Sequence, residues 1–424
     1  MGGKYSVSVT IISFLIIVIS VVDASSSKHT LFRNLINSGD HPPNSGSTRW
    51  AVLVAGSSGW QNYRHQANVC HAYQIVKKAG LKDENIIVFM YDDIAFNPNN
   101  PKPGVIINRP NGPDVYHGVP KDYTGDNATP ENLYAVILGN RTALSGGSGK
   151  VVNSGPDDYI FIYYTDHGGP GVVEMAAGEP IYANDLVSVF YLEACDSGSM
   201  FEGLLAENIS IYATTSTYPN ELGWATYCPA QRNSTSTEDN SSRSGGGLAH
   251  TSHVMQFGDL SLSNQFVSTY MGDNPPTTST IHNNHQLNHP SSLSSLRVSQ
   301  RDADLFHFSY KFNKAPAGSK EKAKAGEDLQ ALITQRKQVD DNINRLGKLV
   351  LGNKNGKLLN NVRPLGQPLV DDWDCLKKLV KTYEIYCGAL SSYGIKYTRH
   401  FANMCNVGVN HFQFSVAALH SCYS

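Results

Sequence analysis

"DYIFIYYTDHGG", residues 158–169, decides how this chain is built. Every residue from Tyr159 to Thr165 is aromatic or β-branched, so both sides of an extended run are apolar. Such a run suits a strand covered on both faces, which is the condition inside a parallel sheet. It then stops at an acid, an imidazole and two glycines. Four more runs have the same character: "RWAVLVAGS" (49–57), "NIIVFMYDD" (85–93), "SVFYLEACDS" (188–197) and "ISIYATTS" (209–216). Between the first two lies "YRHQANVCHAYQIVKKAGL" (63–81), with apolar residues at helical spacing and Gly80 as a stop. That is one β-α-β unit. "TPENLYAVILG" (129–139) reads as a second helix, with Thr129 as cap and Pro130 at the first position. The pattern predicts an α/β fold, a mostly parallel sheet sandwiched by helices.

The chain of 424 residues can bury a sizeable core, and its length favours two domains. A net charge of −2 provides no basic field for nucleic acid. Lys4, the apolar run "IISFLIIVISVV" (11–22) and the small residues after it have the anatomy of an export signal, residues 1–24, cleaved near Ala24. The run is too short for a comfortable membrane span, and no other segment is long and apolar enough, so no membrane anchor is expected. Residues 25–48 are rich in Ser, Asn and Pro and read as an N-terminal propeptide. Export permits disulfides, and the seven cysteines leave at least one unpaired within the chain. Glycan acceptor sequons stand at Asn127, Asn140, Asn208, Asn233 and Asn240.

Residues 230–251 are of low complexity and read as a loop. A long helix is predicted over 320–352, with Leu329, Leu332, Ile333, Val339, Ile343, Leu346 and Leu349 on one apolar stripe. After "RPLGQPLVDD" (363–372), three short helical patterns carry Cys375, Cys387, Cys405 and Cys422. These read as a small helical domain held by two disulfides, with three connectivities open. The boundaries drawn are 49–313 for the α/β domain, 314–352 for a helical linker and 353–424 for the C-terminal domain.

Cys195 could be a core thiol, half of a disulfide, a metal ligand or a nucleophile. On a strand, Glu193 and Cys195 share a face and end at the carboxyl edge of the sheet, where ligands bind in open α/β folds. The run 158–169 brings His167, Gly168 and Gly169 to the same rim. A thiolate attacks carbonyl carbon well, and a nearby histidine takes its proton. The glycines leave room for substrate and can expose an N–H to a developing oxyanion. No further ligands show metal-like spacing, so neither a metal nor a cofactor is predicted.

"YYTDHGGPG", "FYLEACDSGSMFEGLL", "IYATTS" and "NYRHQANVCHAYQI" together resemble the legumain family, the asparaginyl endopeptidases, and within it the plant vacuolar processing enzymes. "DDWDCLKKLVKTYEIYCG" and "FANMCN" resemble the family's C-terminal inhibitory domain. The resemblance implies a caspase-like fold and a thiol protease made as a zymogen, acting on protein and peptide substrates and inhibited by its own C-terminal prodomain. It implies Cys195 as nucleophile, His167 as base, Asn62 as orienter of the imidazole, and Gly168 with the Cys195 amide as oxyanion hole. Arg64, His65 and Glu193 would line a pocket for an asparagine side chain, and Asp166 would be able to close to a succinimide. Disulfides 375–405 and 387–422 are implied too, while Cys70 reads as a packed core thiol. Asn342 and Asn344 are candidate self-cleavage sites.

Three departures from the family stand out. The segment joining the strands before and after 187 is short, so the sheet face is expected to lose cover. The Ser-rich loop 230–251 replaces a segment with a second cysteine and a Gly-Asp turn, which leaves Cys228 without its family partner. Leu222 and Gly223 stand where two serines are expected. The leading reading is a secretory-pathway or vacuolar endopeptidase cleaving after Asn, and more weakly after Asp, with acid-triggered activation. A catalytically impaired relative acting by binding and an asparaginyl peptide ligase are the alternatives.

Overall fold

The computed structural model describes residues 47–186, 191–228, 252–264, 270, 296–352 and 355–423. The strands are β1 (Arg49–Ala55), β2 (Ile86–Phe89), β3 (Tyr159–Thr165), β4 (Gly168–Gly169), β5 (Val172–Val173), β6 (Ile181–Tyr182), β7 (Tyr191–Glu193), β8 (Tyr212–Thr215), β9 (Trp224–Cys228), β10 (Met255–Gly258) and β11 (Leu296–Ser299). The main sheet has the order β10-β8-β7-β3-β1-β2. Its pairings are parallel except for the edge strand β10. Leu53 of β1 lies between Val88 and Tyr163. The double-sided apolar runs are explained by burial: Val52, Leu53, Val54 and Tyr164 are fully buried. Each large apolar side chain so enclosed contributes roughly 1.5–3 kcal/mol.

Helix α1 (Tyr63–Lys78) packs against β1 and β3, and Gly80 at φ 105° ends it where a side chain would be strained. Helix α2 (Pro130–Ile137) starts as its sequence predicts: the Thr129 hydroxyl accepts from the Asn132 N–H at 3.3 Å. Residues 187–190 of the short crossover lie outside the described residues. The expected loss of cover is not observed on the flanking strands, because Ile160, Ile162 and Leu192 are each at most 1% exposed.

The C-terminal half is helical: α3 (Ala303–Lys314), α4 (Lys320–Leu351), α5 (Asn355–Leu359), α6 (Trp373–Cys387), α7 (Thr398–Asn406) and α8 (His411–Cys422). It has its own core, in which Ile343, Leu346, Leu376, Phe401 and Phe414 are fully buried. The buried stripe of α4 is narrower than its sequence predicts. Val339, Ile343, Leu346 and Val350 are covered, whereas Ile333 and Leu349 face outward at 43% and 54% exposure. The C-terminal bundle meets the last turns of α4, while α3 packs along its first half, where Ala325 is buried and Leu329 and Leu332 are half-buried. Disulfides join Cys375 to Cys405 and Cys387 to Cys422, tying α6 to α7 and to α8.

This bundle sits on the carboxyl edge of the sheet. The Thr398 hydroxyl donates to the Pro170 carbonyl at 2.7 Å, and Arg399 donates to the Pro219 carbonyl at 2.7 Å. Lys377 pairs with Asp185 at 2.7 Å, and Ser392 donates to Glu174 at 2.8 Å. A side chain at Gly169 would strike the Ile395 backbone, so the glycine is what allows this approach.

Candidate active site

Parallel strands β3 and β7 end side by side, with Thr165 opposite Glu193. The residues that follow them, His167 and Cys195, are both almost fully buried. Gly168 lies directly against the Cys195 backbone: an added Cβ there would be 2.5 Å from the Cys195 carbonyl and 3.5 Å from its nitrogen. Only glycine permits that close approach of the two backbones. Asp196, at φ 55°, turns the chain sharply after the cysteine.

Asn62, just before α1, accepts from His167 Nε2 at 2.8 Å. Its own amide donates to the Ser58 carbonyl at 2.8 Å, which fixes the side chain. With Nε2 committed as a donor, His167 keeps Nδ1 as its basic nitrogen. Burial first, and then Arg64, Arg301 and Arg336, push the His167 pKa well below its ordinary value. Burial pushes the Cys195 thiol up, partly offset by Arg301. Both groups are therefore held neutral while the site is covered. The Cys195 sulfur accepts from the Gly223 N–H at 3.3 Å.

Arg64 and His65, in the first turn of α1, point to the same pocket. His65 is fully buried, with its pKa held well below the usual imidazole range by burial and by Arg64 and His167. Its Nδ1 contacts the Ser57 hydroxyl at 2.6 Å and Asp166 at 3.3 Å. Its Nε2 contacts Gln300 Oε1 at 3.3 Å, and Arg64 reaches the same oxygen at 3.5 Å. A carbonyl oxygen can only accept, so His65 carries its proton on Nε2, and its Nδ1 accepts a hydrogen bond from the Ser57 hydroxyl. Burial raises the Asp166 pKa well above the carboxylate range. Glu193 accepts from the Tyr163 hydroxyl at 2.6 Å and the Asn68 amide at 3.3 Å.

Gln300 is the residue that the sequence reading missed. Strand β11 pairs antiparallel with β9, with Ser299 opposite Trp224 and Val298 opposite Ala225. The Gln300 N–H then donates to the Gly223 carbonyl at 2.9 Å. Arg301 pairs with Asp196 at 2.9 Å, and Arg336 of α4 binds Asp302, Asp304 and the Arg301 carbonyl. An extended segment on an open strand edge, with a side chain in a pocket, is how proteins recognise peptides. The signal lay in "VSQRD" (298–302), but it contains no asparagine to mark it as substrate-like.

The other predicted positions fall as follows. Cys70 is a buried free thiol, its pKa pushed up to about 12 by burial. The Cys228 side chain lies outside the described residues. Asn342 is buried in α4 and bonded by Arg345, while Asn344 is exposed. Asn140 and Asn208 are exposed and Asn127 is half-buried; Asn233 and Asn240 lie outside the described residues. The sequence also suggests that the basic residues of 371–400 face a pocket containing Glu193; instead Lys377 pairs with Asp185 and Arg399 lies near Asp196. No helix among the described residues is long and apolar enough to cross a membrane.

Residues 49–245 match the peptidase C13 family, and residues 327–422 match the legumain prodomain. A vacuolar-processing enzyme of Citrus sinensis is 50% identical, over 88% of this chain and 85% of its own length. One from Vicia sativa is 46% identical over 89% and 86%, and a legumain of Canavalia ensiformis is 42% identical over 88% of each. A thiol and an imidazole at adjoining strand ends, under a disulfide-tied helical cap matching that prodomain, agree with these likenesses, and the chain belongs to the legumain family of cysteine-type endopeptidases.

Proposed function

We propose that this chain is the latent precursor of an endopeptidase that cleaves after residues with a side-chain carboxamide, asparagine first among them, and more weakly after aspartate. One observation carries the specificity: the Gln300 carboxamide rests on Arg64 and His65 while its backbone pairs with the β9 edge. A neutral His65 and a cationic Arg64 are both donors to an amide oxygen, and a carboxylate needs the same donors. The names of the relatives, vacuolar-processing enzymes, support passage through the secretory pathway to a vacuole.

In the reaction, His167 Nδ1 takes the Cys195 proton as the sulfur attacks the scissile carbonyl carbon. The Gly168 and Cys195 N–H groups hold the oxyanion. As the C–N bond breaks, His167 returns the proton to the departing amine. Water, deprotonated by the same imidazole, then attacks the thioester and restores the thiol. Release of Gln300 and Arg301 must come first, because they occupy the cleft and burial keeps the pair neutral.

The test is the acid-matured chain with an asparaginyl fluorogenic peptide. Turnover lost in Cys195→Ala, with an unchanged melting curve, supports the proposal. Full turnover in that variant would assign the reaction to another nucleophile.

A further inference from the structure

Glu193 ends β7 opposite Thr165 of β3, and Tyr163, two residues earlier, shares the face of Thr165. Helix α1 packs against β3 and carries Asn68 one turn after Arg64. Two side chains thus meet the carboxylate from different elements. The Tyr163 hydroxyl donates to Glu193 Oε2 at 2.6 Å, and the Asn68 amide donates to the same oxygen at 3.3 Å. Oε1 has only the longer Asn68 contact, at 3.4 Å, among the described residues.

The phenol at 163 needs a reason. Phe161 fills a buried place on the same face of β3, and Tyr163 is itself only 3% exposed. Burying a hydroxyl there is costly unless its hydrogen bond is used, and its acceptor is Glu193. Glu193 is half-buried, so it keeps an accessible side that Tyr163 lacks. Burial raises the Glu193 pKa, and the Tyr163 hydroxyl, the Arg64 charge and Thr165 pull it back. Arg64 on α1 and Tyr163 on β3 are the charged and titratable groups that face it. Arg64 Nη2 also stands 3.5 Å from His167 Nε2, which links this carboxylate to the catalytic imidazole through one guanidinium.

We propose that Tyr163 and Asn68 are positioning residues for substrate choice: they engage Glu193 Oε2 and leave Oε1 to accept an N–H of the substrate's side-chain carboxamide. A substrate carboxylate has no N–H to offer and meets like charge there, so the same arrangement selects asparagine over aspartate. The inference rests on the carboxamide reading proposed above and deepens it.

The experiment compares kcat/KM at one fixed pH for matched fluorogenic peptides with Asn, Asp or Ala before the reporter. The enzyme is the full chain after acid maturation, as wild type, Tyr163→Phe and Asn68→Ala. The second variant leaves the buried face of β3 intact and puts a good helix former on α1. The Asn-to-Asp ratio is the readout, because loss of fold lowers both rates together. Each substitution should lower the ratio about tenfold, the order expected when a hydrogen bond to a charged group is lost. On a Glu193→Gln background, neither substitution should lower it further, since both act through that carboxylate. A wild type that prefers Asn, with its ratio unchanged in both variants, would overturn this inference and leave the carboxamide reading standing. A full further drop on the Glu193→Gln background would also overturn it, by placing the effect elsewhere. Ala peptides cleaved as fast as Asn peptides by the wild type would refute the carboxamide reading itself.

Discussion

At the scale of single residues, the division of labour around His167 follows from which nitrogen is already engaged. Asn62 holds Nε2, so proton transfer is left to Nδ1. His167→Ala should lower kcat by ~10²–10⁴, the usual range for a general base, with little effect on KM. Asn62→Ala should lower kcat less, because the imidazole remains but loses its orientation. Equal losses in the two variants, measured with the same peptide, would contradict this ordering. His167 and Cys195 were legible as a candidate pair because each follows a strand end, whereas Asn62 was suggested only by the family resemblance. Gln300 was not legible. Nothing in its neighbours shows that a segment more than 70 residues downstream of Gly223 returns to pair with β9.

At the scale of elements, β11 and α7 make separable predictions. Strand β11 blocks the cleft through the Gln300 amide and the Arg301–Asp196 pair. Gln300→Ala in the precursor should let an asparaginyl electrophile label Cys195 at neutral pH several times faster than in the parent. Unaltered labelling would show that latency comes from elsewhere. Helix α7 carries His400, whose Nε2 donates to Asn360 while its buried Nδ1 has no hydrogen-bond partner. Burial, with Lys396 and Arg399 nearby, pulls its pKa down to about 4. A base with a depressed folded-state pKa contributes stability above its ordinary value near 6.5 that is lost as pH falls towards 4. Glu174 works the other way. Its pKa is pushed up to about 7 under the cap, chiefly by burial, so protonation favours the covered state. Of these two groups only the histidine weakens the cap as pH falls. His400→Gln should flatten the loss of cap stability between about pH 6.5 and 4; a pH–melting profile parallel to the parent would reject that assignment.

At the scale of the whole molecule, two cores are joined through an interface that mixes polar contacts with apolar ones, since Val172 and Tyr182 of the sheet domain pack into the C-terminal core, and the smaller core is held by cross-links. Each disulfide closes a loop of 30 or 35 residues, the size for which its removal costs roughly 2–5 kcal/mol. Cys387→Ser with Cys422→Ser should lower the melting temperature of the cap and shift maturation to higher pH, leaving the mature enzyme's kcat/KM unchanged. Retained cap stability, followed by calorimetry on the precursor, would count against that role. The sequence by itself determined the layers. Runs apolar on both faces suit interior parallel strands, helical spacing between them suits crossovers, and strand ends rich in Gly, His and Cys mark a rim where ligands bind. Those are local signals, because each depends on a period of two or 3.6 residues. Tertiary structure alone decided what lies in the cleft, how much of the α4 stripe is covered and which acids meet the basic cap. Each of these depends on pairing between segments far apart in the chain, and neither periodicity nor composition carries information about such a meeting.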